Sequence, residues 1–461
     1  MIEDLFKEKT ALFADGCRTE LRAQENQQTK IVLSNGIITA NSSVCASGVN
    51  ARVYKNGVYG FSSTAEYSAA AADLVLKAAT ENAEFLGKHA GKKSAAIPAF
   101  SAGYFPVNKI VEPTTQKDYI DFIQALDSYI VKQCPNIKSR GIAVSADSMD
   151  KIIYTSDGYS GHHTSPRSYI YVTLEAEHKD GTPIELFKAI GGFGNFFDTH
   201  RAPEDCFSEI DALYKKLMDK REGVYAEAGV KTVVLGGDLA GMIAHEAVGH
   251  TVEADLVKMG SVAGPNLGKI VASPLVNLTD FAHTAFGKAA PLPVFVDDEG
   301  ILADDAILIK DGVLSGYMND RESAAEFGVK PAGNARAWGF SDEPIIRMRN
   351  TAVLPGKDKL DDIIASVDDG YYLLDTNNGE ADLTGEFMFG VCMGYEIKHG
   401  KLGRALMDTT VTGIAFDMLK TVDMVSDSVH WSSSGFCGKK QWIPVGMGGP
   451  ELRCKITVGG R

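Results

Sequence analysis

Two Asn-Gly dipeptides, Asn35-Gly36 and Asn56-Gly57, constrain the fold of this chain more than any other local feature. Each sits between short runs of β texture, residues 30–33 and 37–39 around the first and 48–54 and 58–62 around the second. A tight type I′ turn needs positive φ at both central residues, so these dipeptides predict hairpins and an antiparallel sheet near the N-terminus. Ahead of them, Leu5, Phe6, Leu12, Phe13 and Leu21 recur at helical spacing and predict a helix within residues 3–27. An alanine-rich amphipathic stretch over 64–89 predicts a helix. Pro113 and Thr114 open another, with Tyr119, Phe122, Ile123, Leu126, Tyr129 and Ile130 on one face and Cys134-Pro135 at its end. Strands are expected at 141–145, 151–155, 168–175 and 183–190, the last two joined through Lys179-Asp180-Gly181, and a long helix at 202–229. Strands with segregated helices make this half α+β.

The second half reads differently. A strand at 231–235 leads into a short helix. Beyond it come β-runs and Gly-centred turns, with hairpins expected around Asp311-Gly312 and His399-Gly400. A β-rich barrel or sandwich-like domain is the expectation there. With 461 residues the chain exceeds one compact core. The division expected is an N-terminal α+β part with long helices at 1–229 and a β-rich domain at 230–461. A formal net charge of −14 repels phosphate backbones and anionic lipid, so nucleic acid and membrane surfaces are excluded as expected partners. Residues 1–14 lack a basic segment followed by an apolar one, and the seven cysteines are scattered without pairing rhythm. Both features fit a cytoplasmic protein with reduced thiols.

The sharpest chemistry lies at His245-Glu246-Ala247-Val248-Gly249-His250. The zinc-peptidase motif H-E-x-x-H puts two histidines about 40° apart on a helix, whereas the i, i+5 spacing here gives about 140°. Two imidazoles so placed on a straight helix cannot converge on one ion. Gly249 offers relief, through a π-type bulge or a helix that ends before His250. A catalytic Zn²⁺ keeps one of four positions open, so two histidines require one further protein ligand. Cys437, flanked by Gly435 and Gly438, is the best candidate, and Lys439 could help hold its thiolate. Glu253 is either a competing ligand or a carboxylate that orients His250 from behind. Glu246 is the natural general base. Thiolate ligation lowers the net charge on the metal, which makes a carboxylate beside the water more important.

The segment 245–257, the Val296-Asp297-Asp298-Glu299-Gly300 run and the Cys437 segment together resemble the TldD/PmbA family of metallopeptidases, on its TldD side. Blocks at 35–36, 48–61, 308–314, 331–336, 349–351, 384–387 and 458–460 extend the resemblance over most of the chain. It implies a peptidase acting on peptides or unstructured protein segments, with Zn²⁺ held by His245, His250 and Cys437 and with Glu246 as base. It also implies assembly, as a homodimer or with a PmbA-like subunit that lacks the metal-binding histidines, around a chamber closed to folded proteins. The alternative is a non-catalytic peptide-binding or assembly subunit of such a complex. The chain departs from the family pattern C-G-K-x-G-Q after Cys437, being one residue shorter and lacking the second glycine.

Other polar groups have plainer readings. His162 and His163, in a glycine-flanked stretch, are expected to be solvent exposed, and Asp297, Asp298 and Glu299 to form a solvated turn. Arg336, Arg347 and Arg349 suit either a substrate or internal ion pairs. Cys454 lies in an apparent strand and is expected in the core.

Overall fold

A computed structural model describes residues 2–89, 97, 103–107 and 114–460. Its N-terminal sheet is built from β1 (Arg18–Ser34), β2 (Ile37–Lys55), β3 (Val58–Thr64), β4 (Gly103–Val107), β5 (Ser139–Thr155), β6 (Tyr159–Glu177) and β7 (Pro183–Phe193). The order is β3-β2-β1-β5-β6-β4, with β7 also paired to β6, and every pairing is antiparallel except β4 with β6. Both Asn-Gly turns form as the dipeptides dictate, with φ of 50° and 82° at Asn35 and Gly36, and 54° and 87° at Asn56 and Gly57.

Alternation along β1 explains how this sheet serves the rest of the molecule. Leu21 and Ala23 pack under the helix α1 (Ala69–His89), and Ile31 and Leu33 under α2 (Gln116–Gln133) and α3 (Phe207–Arg221). The intervening Arg22, Gln24 and Asn26 point to the opposite face, where they donate to the carbonyls of Asp342 and Trp338 at 2.6 Å each. Helices therefore cover one face of the sheet, and the second half of the chain covers the other.

That second half closes a barrel. Gly229–Leu235 lies between Asp369–Ala381 and Leu452–Val458. The ring continues through Thr409–Ile414 and Glu386–Lys398 and returns to Asp369–Ala381. A smaller sheet carries His430–Ser432 at one edge, beside Gly446–Gly449 and Asn350–Val353. Leu239, Ile243, Ala244, Ala247 and Val248 bury one side of the helical segment that follows Leu235 among Leu235, Phe389, Val411 and Ile456. The hairpins at Asp311-Gly312 and His399-Gly400 are present, with positive φ at all four residues.

Three local expectations need correction. The helical spacing over 3–27 mixes two elements: a helix at Ile2–Lys9, and β1, whose alternation claims Leu21. The expected strands at 141–145 and 151–155 are one continuous strand, β5, held between β1 and β6. The helix expected over 202–229 spans only Phe207–Arg221. Gly223 lies so close to the carbonyls of Lys220 and Ala405 that a Cβ there would come within 2.8 and 3.1 Å of them, and the chain passes on to the strand at Gly229. Pro113 falls outside the described residues. The cap of α2 is Thr115, whose hydroxyl accepts from the amide of Asp118 while that carboxylate accepts from the amide of Thr115.

Candidate metal centre and cleft

Gly237–Met242 forms a short α-helix that continues into a π-helical turn at Ile243–Gly249. The amide of His250 donates to the carbonyl of His245, an i→i+5 bond. This wider turn brings residue i+5 back nearly over residue i, which reconciles the spacing of the two histidines with a shared target. Their rings stand 5.2 Å apart, at 80° to one another. Gly249 has ordinary helical angles, φ −53° and ψ −51°. Its requirement is steric, because a Cβ there would lie 2.2 Å from Met348 Sδ.

Cys437 arrives from far along the chain, on the short strand Phe436–Cys437 that pairs with Ile443–Pro444. The ligand atoms of His245, His250 and Cys437 all lie within 4.8 Å of one another, and Cys437 Sγ is 3.3 Å from His250 Nε2. Burial pushes the Cys437 thiol up, but the adjacent His245 and His250 outweigh it and bring it down to about 3. Burial likewise opposes charge on His250, yet Glu253 and Cys437 raise it well above the ordinary histidine value. A thiolate and two imidazoles converging on one point form a donor set suited to a transition metal such as Zn²⁺.

Behind the ligands, Glu253 Oε2 accepts from His250 Nδ1 at 2.7 Å, and its side chain is fully buried. This is the arrangement in which a carboxylate fixes the tautomer and orientation of a metal-binding imidazole. Glu253 is not part of the convergent group. Lys439 Nζ does not hold the thiolate. It lies 3.2 Å from Glu253, 2.8 Å from Asp255 and 3.0 Å from the Ile346 carbonyl. Arg347, fully buried, donates to the carbonyls of Cys437, Lys439 and Gln441 at 2.6, 2.9 and 2.7 Å. Gln441 accepts from the Trp338 amide and donates to the Glu343 carbonyl, at 2.8 and 3.0 Å. The shortened loop after Cys437 is thus tied down by side chains instead of by a second glycine. The N-terminal sheet holds the segment before it, through Tyr169 and Tyr171, whose hydroxyls donate to the carbonyls of Ser433 and Ser434 at 2.7 and 3.0 Å.

Glu246 stands on the open side. Its carboxylate oxygens are 3.9 Å from His245 Nε2 and 3.6 Å from His250 Nε2, and its side chain is 25% exposed. It lines a cavity of about 380 Å³ between the N-terminal sheet and the barrel, whose walls include Tyr169, Phe187, Met242, Trp431 and Phe436. The carboxylate thus stands beside the convergent ligand atoms, on the side that opens to the cleft.

The remaining polar candidates lie elsewhere. His162 and His163 sit on β6, not in an exposed loop. His162 pairs with Asp150 at 2.9 Å, and burial lowers His163 to about 4. Asp297, Asp298 and Glu299 form no solvated turn. They are 2%, 6% and 2% exposed, with Asp298 bonded to Lys151 at 2.8 Å and Glu299 paired with Arg52. Arg349 pairs with Asp280 at 2.8 Å, and Arg336 donates to the carbonyls of Met348 and Pro444. All three arginines therefore serve the interior. Cys454 is buried on its strand. Sequence reasoning missed the clamping role of Arg347 and the charged residues Lys188, Lys216, Asp238 and Asp375 that also line the cavity, because no spacing rule links residues so far apart in the chain.

Comparison with known proteins identifies the family. Residues 228–460 match the description "PmbA/TldA metallopeptidase C-terminal domain", residues 110–232 its central domain and residues 19–83 its domain 1. The chain is 28% identical to a metalloprotease TldD homolog of Haemophilus influenzae, over 100% of this chain and 95% of that protein. It is 29% identical to a zinc metalloprotease TldD homolog of Saccharolobus solfataricus, over 75% and 76% of the two chains. The crystal structure of TldE from Thermococcus kodakarensis shares the fold, with a TM-score of 0.74 at 15% identity over 98% of this chain and 100% of that one. No helix among the described residues is long and apolar enough to cross a membrane. A metal-suited His-His-Cys group, a carboxylate beside it and matches along almost the whole length lead to one assignment: the chain belongs to the PmbA/TldD family of metallopeptidases.

Proposed function

We propose that this protein is a cytoplasmic zinc-dependent endopeptidase that hydrolyses peptides and unstructured protein segments, with His245, His250 and Cys437 as the zinc ligands and Glu246 as the general base. One observation carries the reading. Three ligand atoms converge within 4.8 Å, and a carboxylate 3.6 Å from one of them faces the cleft. A purely structural zinc has no use for such a base. When bound there, zinc supplies the Lewis acidity that activates water and polarises the scissile carbonyl. Glu246 takes the proton of the attacking water and delivers it to the leaving amine. Glu253 holds the His250 ring in place through Nδ1. The cleft accepts an extended chain and excludes a folded domain, and assembly with a second copy or a PmbA-like subunit would close it further.

The test is mass-spectrometric digestion of an unstructured peptide pool by zinc-loaded protein, beside Glu246→Gln prepared identically. Cleavage by the wild type alone supports the reading. Equal cleavage by both removes Glu246 from its role. With neither cleaving, alone or with a PmbA-like subunit added, the chain is a peptide-binding or assembly subunit.

A further inference from the structure

The cavity that begins at Glu246 sets Lys188 and Lys216 against four carboxylates, those of Glu209, Asp238, Glu246 and Asp375. Both lysines are already engaged. Lys188 pairs with Glu209 at 3.2 Å, and Lys216 donates to the two oxygens of Asp375 at 3.0 and 2.8 Å. Glu246 faces the candidate metal ligands, and the nearby His430 is paired with Glu451 at 3.2 Å. Asp238 remains. Its carboxylate lines the cleft and forms no hydrogen bond or ion pair among the described residues. Partial burial, together with Asp375, raises its proton affinity above the ordinary carboxylate value, against the pull of Lys188, Lys216 and His430, so a cation arriving beside it would relieve an unfavourable charge.

The position of Asp238 gives that spare charge a meaning. Asp238, Met242 and Glu246 follow one another at four-residue intervals, and all three line the cavity, so they run down one side of the helix that carries the histidines. An α-helical turn followed by the start of the wider π turn separates Asp238 from Glu246 by roughly 10–12 Å along the helix. An extended peptide covers that distance in roughly three to four residues at about 3.3 Å each. Phe187, 41% exposed, and Trp431 give the same cavity aromatic walls. Aromatic surface beside an unpaired carboxylate suits a side chain with a long apolar stem and a cationic head.

We propose that Asp238 is a specificity-determining residue that selects peptides bearing a lysine or arginine three or four residues from the scissile bond. The proposal rests on the peptidase reading and adds a substrate class to it. A neutral or acidic side chain at that position leaves the carboxylate without a partner, and the difference between the two cases is the selectivity.

Binding tests this without requiring cleavage. In the Glu246→Gln background, fluorescence anisotropy would follow labelled neutral peptides in which a single lysine is moved one position at a time. Lysine should tighten binding roughly five- to tenfold in one register, less so at high salt. The gain should vanish in Glu246→Gln/Asp238→Asn, and Asp238→Lys should transfer it to a glutamate scan. Absence of binding, absence of a preferred register, or an equal gain with Asp238→Asn overturns the proposal. With active protein, the products of a peptide library should show basic residues enriched at that distance in the wild type and not in Asp238→Asn. Cleavage without such enrichment sinks the proposal and spares the peptidase reading. Register-specific binding with no cleavage by the wild type does the reverse.

Discussion

Two clusters of ionisable side chains lie where the halves of this protein meet, and they differ in what each leaves unfinished. One joins Glu20, Arg52, Lys151, Asp298, Glu299 and Arg321, none more than 8% exposed, and ties the polar face of the N-terminal sheet to the second half. The other is His245, Glu246, His250 and Cys437, which opens onto the cleft. Both contain strongly shifted groups: burial lowers Lys151 to about 8, and the histidines bring Cys437 to about 3. Displaced proton affinity therefore does not distinguish a site from a structural junction. The distinction is in the partners. Lys151 has Asp298 and the Ala337 carbonyl within 2.7–2.9 Å, whereas the three ligand atoms of the second cluster point at a common space beside a carboxylate.

This contrast can be broken by mutation. Removing a ligand with His250→Ala or Cys437→Ala should cost about a thousandfold or more in peptide cleavage and abolish stoichiometric zinc, read by elemental analysis on the folded protein. Cleavage and zinc content retained in both variants would remove the centre from the chemistry. The junction should respond in the opposite sense. Lys151→Met removes the nearer of two cationic partners of buried Asp298, leaving Arg22 at 3.5 Å and the Ala337 amide, and should lower stability by about 2–3 kcal/mol. Zinc stoichiometry in the molecules that remain folded should be unchanged. Lys151→Met combined with Asp298→Asn, which removes the unbalanced charge and keeps an amide oxygen facing Arg22, should recover part of the loss, and denaturant unfolding of the two variants checks this. Between these extremes, Glu253→Gln should weaken zinc binding by about 10- to 100-fold, measured by chelator competition. An unchanged affinity would mean that the His250 Nδ1 contact orients nothing.

The same contrast explains what the sequence disclosed. Hairpins at Asn35-Gly36 and Asn56-Gly57 were legible because positive φ is a local demand that few residue types meet. The i, i+5 histidines pointed to a π-type turn for a similar reason: only a changed helical pitch brings them together. Long-range relations were less visible. The alternation in β1 is readable, but its polar members, Arg22, Gln24 and Asn26, look like a solvated face until the loop over 338–342 is seen to cover them. Asp297, Asp298 and Glu299 misled for the same reason, since nothing in a run of acids announces that Arg52 and Lys151 lie opposite. Arg347, which holds the Cys437 loop through three carbonyls, was one of several arginines with no distinguishing neighbour in sequence.

The smallest effect tests the junction through pH. His163 lies among Lys151, Asp298, His162 and Asp150, with its Nε2 2.5 Å from the Tyr159 hydroxyl, and burial, first among the influences on it, lowers it to about 4. The unfolded chain regains an ordinary histidine with a pKa of about 6.5. Between these values the unfolded state binds more protons than the folded one, so stability present above about pH 6.5 is lost as pH falls toward 4. Partial solvent contact limits the effect to about 1–2 kcal/mol. Carboxylates titrate over part of the same range, and the difference between the wild type and His163→Gln cancels their contribution. Thermal melts from pH 7.5 to 4.5 should show the wild type losing stability faster than the variant through this window. Parallel curves would mean that His163 is solvated in the folded state, and that the junction is looser than its hydrogen bonds imply.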